Sequence, residues 1–454
     1  MKWHDGVPLS AEDFMFGIQV ARDPDLPLPH TGGVSLVREV LALDAETLVV
    51  RWSETYFGAN EGNPAEMPAL PRHLLADLYR QGEKQAFINS PRWAKEWVGL
   101  GPYRMGEWVE GAYTEALAFD DYALGRPKID RIIIRYFLDP TVLATNLLSG
   151  DIDFVSIGSL RTDDLAPVRN TWQASGGGTV IEMMTYITWA RMQFRDPSAP
   201  WVNDVRVRQA LLHLVDRQSM AEAFFPGSAT SPADIFVARE DPVYRLVEQR
   251  GLSKYPYDVA QGERLLGDAG WRKGQDGVFQ NASGQHFNIE VRITANAPAL
   301  VQQALALGDQ WKRGGLESDL FSIASNATNK PELKAASKGV YLQPDAITPD
   351  VLEGFTTPQI QTAQNEWQGK NLSGYSNPDY DRLYGQYATA LEPTKWDALY
   401  ADVLKRTADD ALFLPLYYSS STSTITFRRG VRGPAPVLPI QSVGTWNMHE
   451  WEMD

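Results

Sequence analysis

The run RIIIRYFLDPTVLATNLLSGDIDFVSI, residues 131–157, bears most directly on the fold class. Three consecutive isoleucines and the aromatics after them favour a strand. Asp139 and Pro140 are a natural N-cap and first helical position. Leu143, Ala144, Leu147 and Leu148 then recur at helical spacing, and Gly150 stops the helix before DIDFVSI resumes as a strand. Strand, helix, strand is the order of a βαβ unit, and it predicts parallel pairing through a right-handed crossover.

Toward the N-terminus, Ser10 followed by Asp13 makes a capping-box-like start, with Ala11, Phe14 and Ile18 at helical spacing after a short KWHDG strand. ETLVVRWS (46–53) is rich in β-formers, and Pro64, Pro68 and Pro71 punctuate a loop before a helix in LLADLY. VGLGPYRMGEW (98–108) reads as a sharp turn at a lobe boundary. Toward the C-terminus, TVIEMMTYITWARMQF (179–194) is a long β-rich stretch, and DVRVRQALLHLVDRQSM (204–220) places Val207, Ala210, Leu211, Leu214 and Val215 on one helical face. A helix from Asp258 to Gly270, the strand IEVRITA (289–295), helices after Asn377 and around Trp396, and the strand LFLPLYYSS (412–420) complete an α/β alternation. Two α/β lobes crossed more than once by the chain is the economical architecture.

At 454 residues the chain holds roughly three domains' worth of material at about 150 residues each. The net charge of −15 argues against a nucleic-acid partner, because phosphate binding needs clustered Lys and Arg. Zero cysteines exclude disulfides and thiolate chemistry, which suits an exported protein, and no apolar run is long enough to span a membrane.

Motifs for chemistry are missing. The histidines at 4, 30, 73, 213, 286 and 449 are scattered without metal-ligand spacing, and His213 reads as a packed helix residue. GLGPYR carries Arg104 where a dinucleotide fingerprint needs glycine, SGGGTV (175–180) lacks the Lys-Ser or Lys-Thr of a phosphate cradle, and GYSNP (374–378) is no nucleophile elbow. The carboxylate pairs Asp120–Asp121 and Asp409–Asp410 diverge in direction as neighbours in sequence. What stands out is 14 Trp, 18 Tyr and 17 Phe, enough to line an interlobe cleft as well as a core.

Six runs, in order, resemble the family of dipeptide, oligopeptide and nickel substrate-binding proteins of ABC importers (solute-binding protein family 5). They are KWHDGVPLSAEDFMF (2–16), GLGPYRMGEW (99–108), DYALGRPKIDRIIIRYFLDPTVLATNLLSGDIDF (121–154), DVRVRQALLHLVDRQSM (204–220), YPYDVAQGERLLGDAGW (255–271) and GYSNPDYDRLY (374–384). The resemblance implies a periplasmic-binding-protein-like two-lobe α/β fold of type II, in the large class with an extra subdomain, here lacking its first strands. It places the extra subdomain at 1–98, a near lobe at 99–198, a far lobe at 199–412 and the return to the near lobe at 413–454, with hinges near 194–203 and 411–416. It implies a periplasmic or membrane-associated extracellular monomer that captures a peptide, an oligosaccharide-like or another small organic solute and delivers it to ABC permease subunits, without cofactor, metal or catalysis. A hydrolase acting on peptides or glycosides on a similar frame is the competing class. The expected ligand contacts are Trp189, Tyr341, Gln343, Trp367 and Tyr375. Gln343 stands where peptide binders of the family carry an acid, with Asp345 near but shifted, and no histidine matches the way nickel binders hold their metal complex.

Overall fold

A computed structural model describes residues 1–26, 32–60, 62, 64, 67–160, 162–226, 231–294, 298–327, 330–367, 369–419, 424–436 and 444–454. Helix α1 (Ala11–Ala21) begins with the reciprocal capping box of Ser10 and Asp13. KWHDG forms no strand; Lys2 makes a single bridge to Pro8, because Gly6 turns the chain back at once with φ 89°. Strands β1 (Val37–Ala42) and β2 (Leu48–Trp52) form a hairpin, and helix α2 (Arg72–Arg80) packs Leu75 in one cluster with Phe16 and Val20 of α1.

The run at 131–157 has its elements where the residues predict them but not the pairing. Strands β3 (Tyr103–Val109), β4 (Tyr113–Ala118) and β5 (Arg131–Arg135) form an antiparallel meander. Helix α3 (Pro140–Ser149) is capped by Asp139, which accepts the Thr141 N–H, and ends at left-handed Gly150. Strand β6 (Phe154–Val155) then joins a different sheet, so the expected parallel βαβ unit does not form here. Helix α4 (Thr162–Ser175) leads to β7 (Gly178–Glu182).

The parallel unit lies farther on. The elements are β8 (Tyr186–Met192), α5 (Val205–His213), α6 (Arg217–Phe224), β9 (Ser231–Pro232), α7 (Val259–Asp268), β10 (Asn288–Thr294), α8 (Pro298–Arg313), β11 (Glu317–Ile323) and β12 (Gly339–Ala346). They are followed by α9 (Pro378–Ala388), α10 (Pro393–Asp409), β13 (Phe413–Ser419) and β14 (Thr424–Arg428). A six-stranded sheet runs in the order β11-β10-β12-β8-β13-β9, and β10 is parallel to both β11 and β12. One face carries Ala190, Met192, Val291, Val340 and Leu342 against Leu211 of α5 and Leu307 and Trp311 of α8; the Trp311 indole N–H donates to the Leu211 carbonyl at 3.1 Å. The other face carries Ile187, Trp189 and Phe413 against Phe236, Phe355, Tyr400 and Leu404. Burial on both faces explains why β8 reads as almost continuously apolar instead of alternating.

The helix expected over 204–220 is two helices. Leu214 and Val215 keep the apolar spacing, but Asp216 accepts the Ser219 N–H and starts α6 as a second N-cap. Strands β6, β14 and β7 form a separate three-stranded sheet, with β14 antiparallel to both neighbours. The expected boundaries at 198 and 412 cut through this pairing: β8 and β13, placed with the near lobe, are hydrogen-bonded inside the six-stranded sheet.

Candidate functional site

Two passages of chain join the three-stranded sheet to the six-stranded one. The first leaves β7 at Glu182 and enters β8 at Tyr186; the second leaves β13 at Ser419 and enters β14 at Thr424. Tyr186 pairs with Ser419 on one side and Glu182 with Thr424 on the other, so both passages leave and enter the sheets at neighbouring strand ends. The segments 194–203 and 411–416, where the hinge is expected, are not where the chain passes between the two sheets; the first such passage is 183–185. Phe413 and Leu414, inside the second of these ranges, are paired with β8, where a hinge would have to break a ladder.

The carboxyl ends of β10, β11, β12 and β13 all lie at the end of the sheet where the chain crosses over. In open α/β sheets this end, where connections diverge, leaves a crevice for ligands. Register brings Arg191 opposite Tyr341, Trp189 opposite Gln343, and Ile187 opposite Asp345 on one face. Asp345 is the polar centre of that face. Its Oδ2 accepts the Trp189 indole N–H at 2.9 Å and a hydrogen bond from the Gln343 side-chain amide.

Trp189 is fully buried, edge-on to Phe236 and Phe413. The Arg191 guanidinium lies 4.6 Å from the Trp189 ring centroid and 6.0 Å from that of Phe355, and it donates through Nη1 to the Lys370 carbonyl at 3.1 Å. Its Nε is buried without a partner. Gly354 packs closely beside it: a Cβ there would stand 3.1 Å from the Lys370 carbonyl oxygen and 3.4 Å from Arg191 Nη1, so a larger residue would need the neighbouring backbone to shift by a few tenths of an ångström.

Burial pushes the Asp345 carboxyl up, against the Arg191 charge and the two N–H donors, which favour the carboxylate. Burial pushes the Arg191 guanidinium down to about 10, with Asp345 and Tyr341 opposing. The Tyr341 hydroxyl is also raised by burial. This wall can present a carboxylate oxygen and an amide to a solute; it contains no nucleophile beside a base.

Of the five residues expected to touch a ligand, Trp189, Tyr341 and Gln343 meet on this face, and Trp367 and Tyr375 lie elsewhere. Trp189 offers no surface, so its expected contact is corrected: it supports Asp345 from behind. Tyr341 is nearly covered, with the Lys334 ammonium 5.9 Å from its ring centroid. Tyr375 is buried against Phe194 and Tyr380, with its hydroxyl 3.2 Å from Asp410 Oδ2. Trp367 is half-buried on a left-handed turn at φ 60°, its N–H donating to the Thr362 carbonyl. Arg191 is the residue that reading by motif misses; the available signal is a lone cation at an alternate position in the apolar strand YITWARM.

A concavity of about 380 Å³ lies beside β9 and is lined by Arg217, Asp234, Arg239 and Lys254 among others. Its charges are partnered within the fold. Arg217 donates to the Ala233 and Tyr255 carbonyls, Asp234 is held by Tyr244 at 2.7 Å and Arg239 at 2.9 Å, and Lys254 pairs with Glu248. His213 packs as expected, its Nδ1 2.7 Å from the Pro256 carbonyl oxygen. Among the described residues no group of three or more His, Asp or Glu is placed to hold a metal, and no helix is long and apolar enough to cross a membrane.

Residues 1–368 match the family model of bacterial extracellular solute-binding proteins, family 5 Middle. The chain is 22% identical over 430 residues to the oligopeptide-binding protein AppA of Bacillus subtilis, covering 93% of this chain and 74% of that one. Its fold is similar to the structure of that AppA in complex with a nonapeptide, with TM-score 0.67, 19% identity, and coverage of 100% of this chain and 85% of that chain. It is similar also to Campylobacter jejuni NikZ in complex with Ni(L-His), with TM-score 0.70, 21% identity, and coverage of 99% and 86%. Most of the length is matched by the family model, the two sheets and paired passages accord with the two-lobe fold, and the chain belongs to the family 5 bacterial extracellular solute-binding proteins, which capture a solute for an ABC importer.

Proposed function

We propose that this chain captures a peptide or peptide-like organic solute in the crevice at the carboxyl ends of β10, β12 and β13, and delivers it to the permease subunits of an ABC importer. The near lobe is then built from residues before about 183 and after about 423, and the far lobe from the segment between. Gln343 and Asp345 meet the solute directly, and Trp189 and Tyr341 hold the wall in place; Trp367 and Tyr375, expected as contacts, lie away from this face. The lobes rock about the crossings between the two sheets, the first of them at 183–185, and a solute that binds the closed arrangement better shifts the population toward it. The permease reads that closed form, and no bond is made or broken.

The observation that carries this reading is the pairing of Tyr186 with Ser419 beside that of Glu182 with Thr424, which brings both crossings between the sheets to the carboxyl ends of β12 and β13. The peptide class draws on the similarity to the B. subtilis oligopeptide-binding protein. Thermal melts with pooled di- to pentapeptides, oligosaccharides and metal–histidine complexes test it. A pool at a hundredfold excess over Kd should stabilise the protein by about 2.7 kcal/mol. A shift with peptides supports the proposal; a shift confined to another pool reassigns the solute, and product formation from any pool would overturn the binding role.

A further inference from the structure

We propose that His4 is an acid-sensitive latch: its neutral ring fastens the N-terminal turn to the chain ahead of β3, and a proton on that ring loosens the hold of helices α1 and α2 on the β3–β5 meander. The inference does not depend on which solute the cleft takes.

Residues 2–5 hold two parts of the molecule by alternate side chains. Trp3 and Asp5 reach the helices: the Trp3 indole N–H donates to Asp13 Oδ2 of α1 at 3.3 Å, and Asp5 Oδ2 lies 2.6 Å from His73 Nε2 of α2. Lys2 and His4 reach the other way, Lys2 to Asp121 at 2.8 Å and His4 to Gly99 and Gly101 just before β3. The apolar cluster of α1 and α2, with Phe16, Val20, Leu75 and Phe87, includes no described residue of β3, β4 or β5. Polar contacts of the turn therefore carry much of this joint, with no shared core among the described residues to back them.

The His4 ring is half-buried and edge-on to Phe119, with centroids 5.1 Å apart. Its Nδ1 accepts the Gly99 N–H at 3.2 Å, and its Nε2 lies 3.0 Å from the Gly101 carbonyl oxygen, which can only accept. Those two backbone groups select the neutral ring with its hydrogen on Nε2. A proton added at Nδ1 would face the Gly99 N–H; two donors pointing at one another repel, and parting them undoes the contact. Burial lowers the ring's hold on a proton, the Gly101 carbonyl opposes, Arg104 of β3 lowers it further and Asp5 opposes. Lys2 and Asp121 form an ion pair beside the turn, and a proton on His73 tightens its pair with Asp5, so acid works only on the His4 side. Lys95 adds an exposed ion pair with Glu110 at 3.5 Å that involves no histidine. Because the folded ring takes its proton less readily than a free imidazole, the latch is complete above the ordinary value of about 6.5 and weakens as pH falls below it.

The test is amide hydrogen exchange at Gly99 in the wild type, His4→Gln and His73→Gln at about pH 7.5 and about pH 5, corrected for the intrinsic pH dependence of exchange. In the wild type and in His73→Gln the opening equilibrium at Gly99 should rise at least about fivefold in acid. In His4→Gln, whose amide can accept from Gly99 and donate to Gly101 at either pH, it should not rise. Equal protection of the wild type at the two pH values, the same acid response in His4→Gln, or loss of the response in His73→Gln would overturn the proposal. Where His4→Gln does not fold, the ring nitrogens of wild-type His4 decide by NMR. An unprotonated Nδ1 at about pH 7.5 that takes its proton below the ordinary imidazole range supports the latch, and a protonated Nδ1 or an ordinary titration sinks it.

Discussion

Trp189→Phe removes one hydrogen bond and one edge of a fully buried ring while keeping an aromatic face beneath Arg191. Loss of a 2.9 Å donor to a buried carboxylate costs about 1.5 to 3 kcal/mol. The missing pyrrole edge leaves a small void among Phe236, Phe355 and Phe413, worth about 1 kcal/mol. The variant should be less stable by about 3 kcal/mol at pH 7 in urea unfolding, with an unchanged m-value. The penalty should also depend on pH. Burial raises the Asp345 carboxyl above its ordinary range, so the stability it contributes is complete below the unfolded carboxylate value of about 3.9 and is lost as pH rises through the raised folded value. Removing the indole N–H raises that folded value further, so the cost of Trp189→Phe should be smaller at about pH 4 than at pH 7. An equal cost at the two pH values, or less than about 1 kcal/mol at pH 7, would refute the assignment of Trp189 as the support of an ionised Asp345.

Two further predictions concern stability away from the cleft. Asp23 is held down to about 2 by the Lys84 ammonium and the Tyr79 hydroxyl, so its contribution is present above the unfolded carboxylate range and is lost as pH falls through about 2. Asp23→Asn should cost about 2 kcal/mol at pH 7, with the melting curves of variant and wild type converging near pH 2. Gly339→Ala places a Cβ 2.3 Å from the Glu290 carbonyl oxygen where β12 meets β10; it should cost about 3 kcal/mol or abolish soluble expression, and a melt matching the wild type would show that the strands can separate without penalty.

Much of the local structure was legible because it is encoded by side chains that bond their own backbone. Ser10 with Asp13, Asp139 before Pro140, Asp258, and Asn377 before Pro378 all cap helices where their types predict. Asp216 carried the same signal and was hidden by the apolar spacing of Leu214 and Val215 around it. The cleft wall was half-legible: Trp189, Tyr341 and Gln343 fall on one face, whereas Arg191 and the bonding of Asp345 emerge only when β8 and β12 are paired. Tyr375 and Trp367 carry the same aromatic signature as a binding residue, and composition cannot separate a ring that faces a solute from one that packs in a core.

The sequence by itself determined the class of fold, the family and the positions of most helices and strands, because caps, turn residues and hydrophobic periods act within a few residues of one another. Only the tertiary structure decided which strands pair, where the chain passes between sheets and what surrounds Asp345. Phe154 finds Phe427, and Trp189 finds Asp345, across long separations in the chain. Backbone hydrogen-bonding groups are alike at every residue, so a strand's partner is selected by the competition of whole faces for burial and not by any mark on the strand itself.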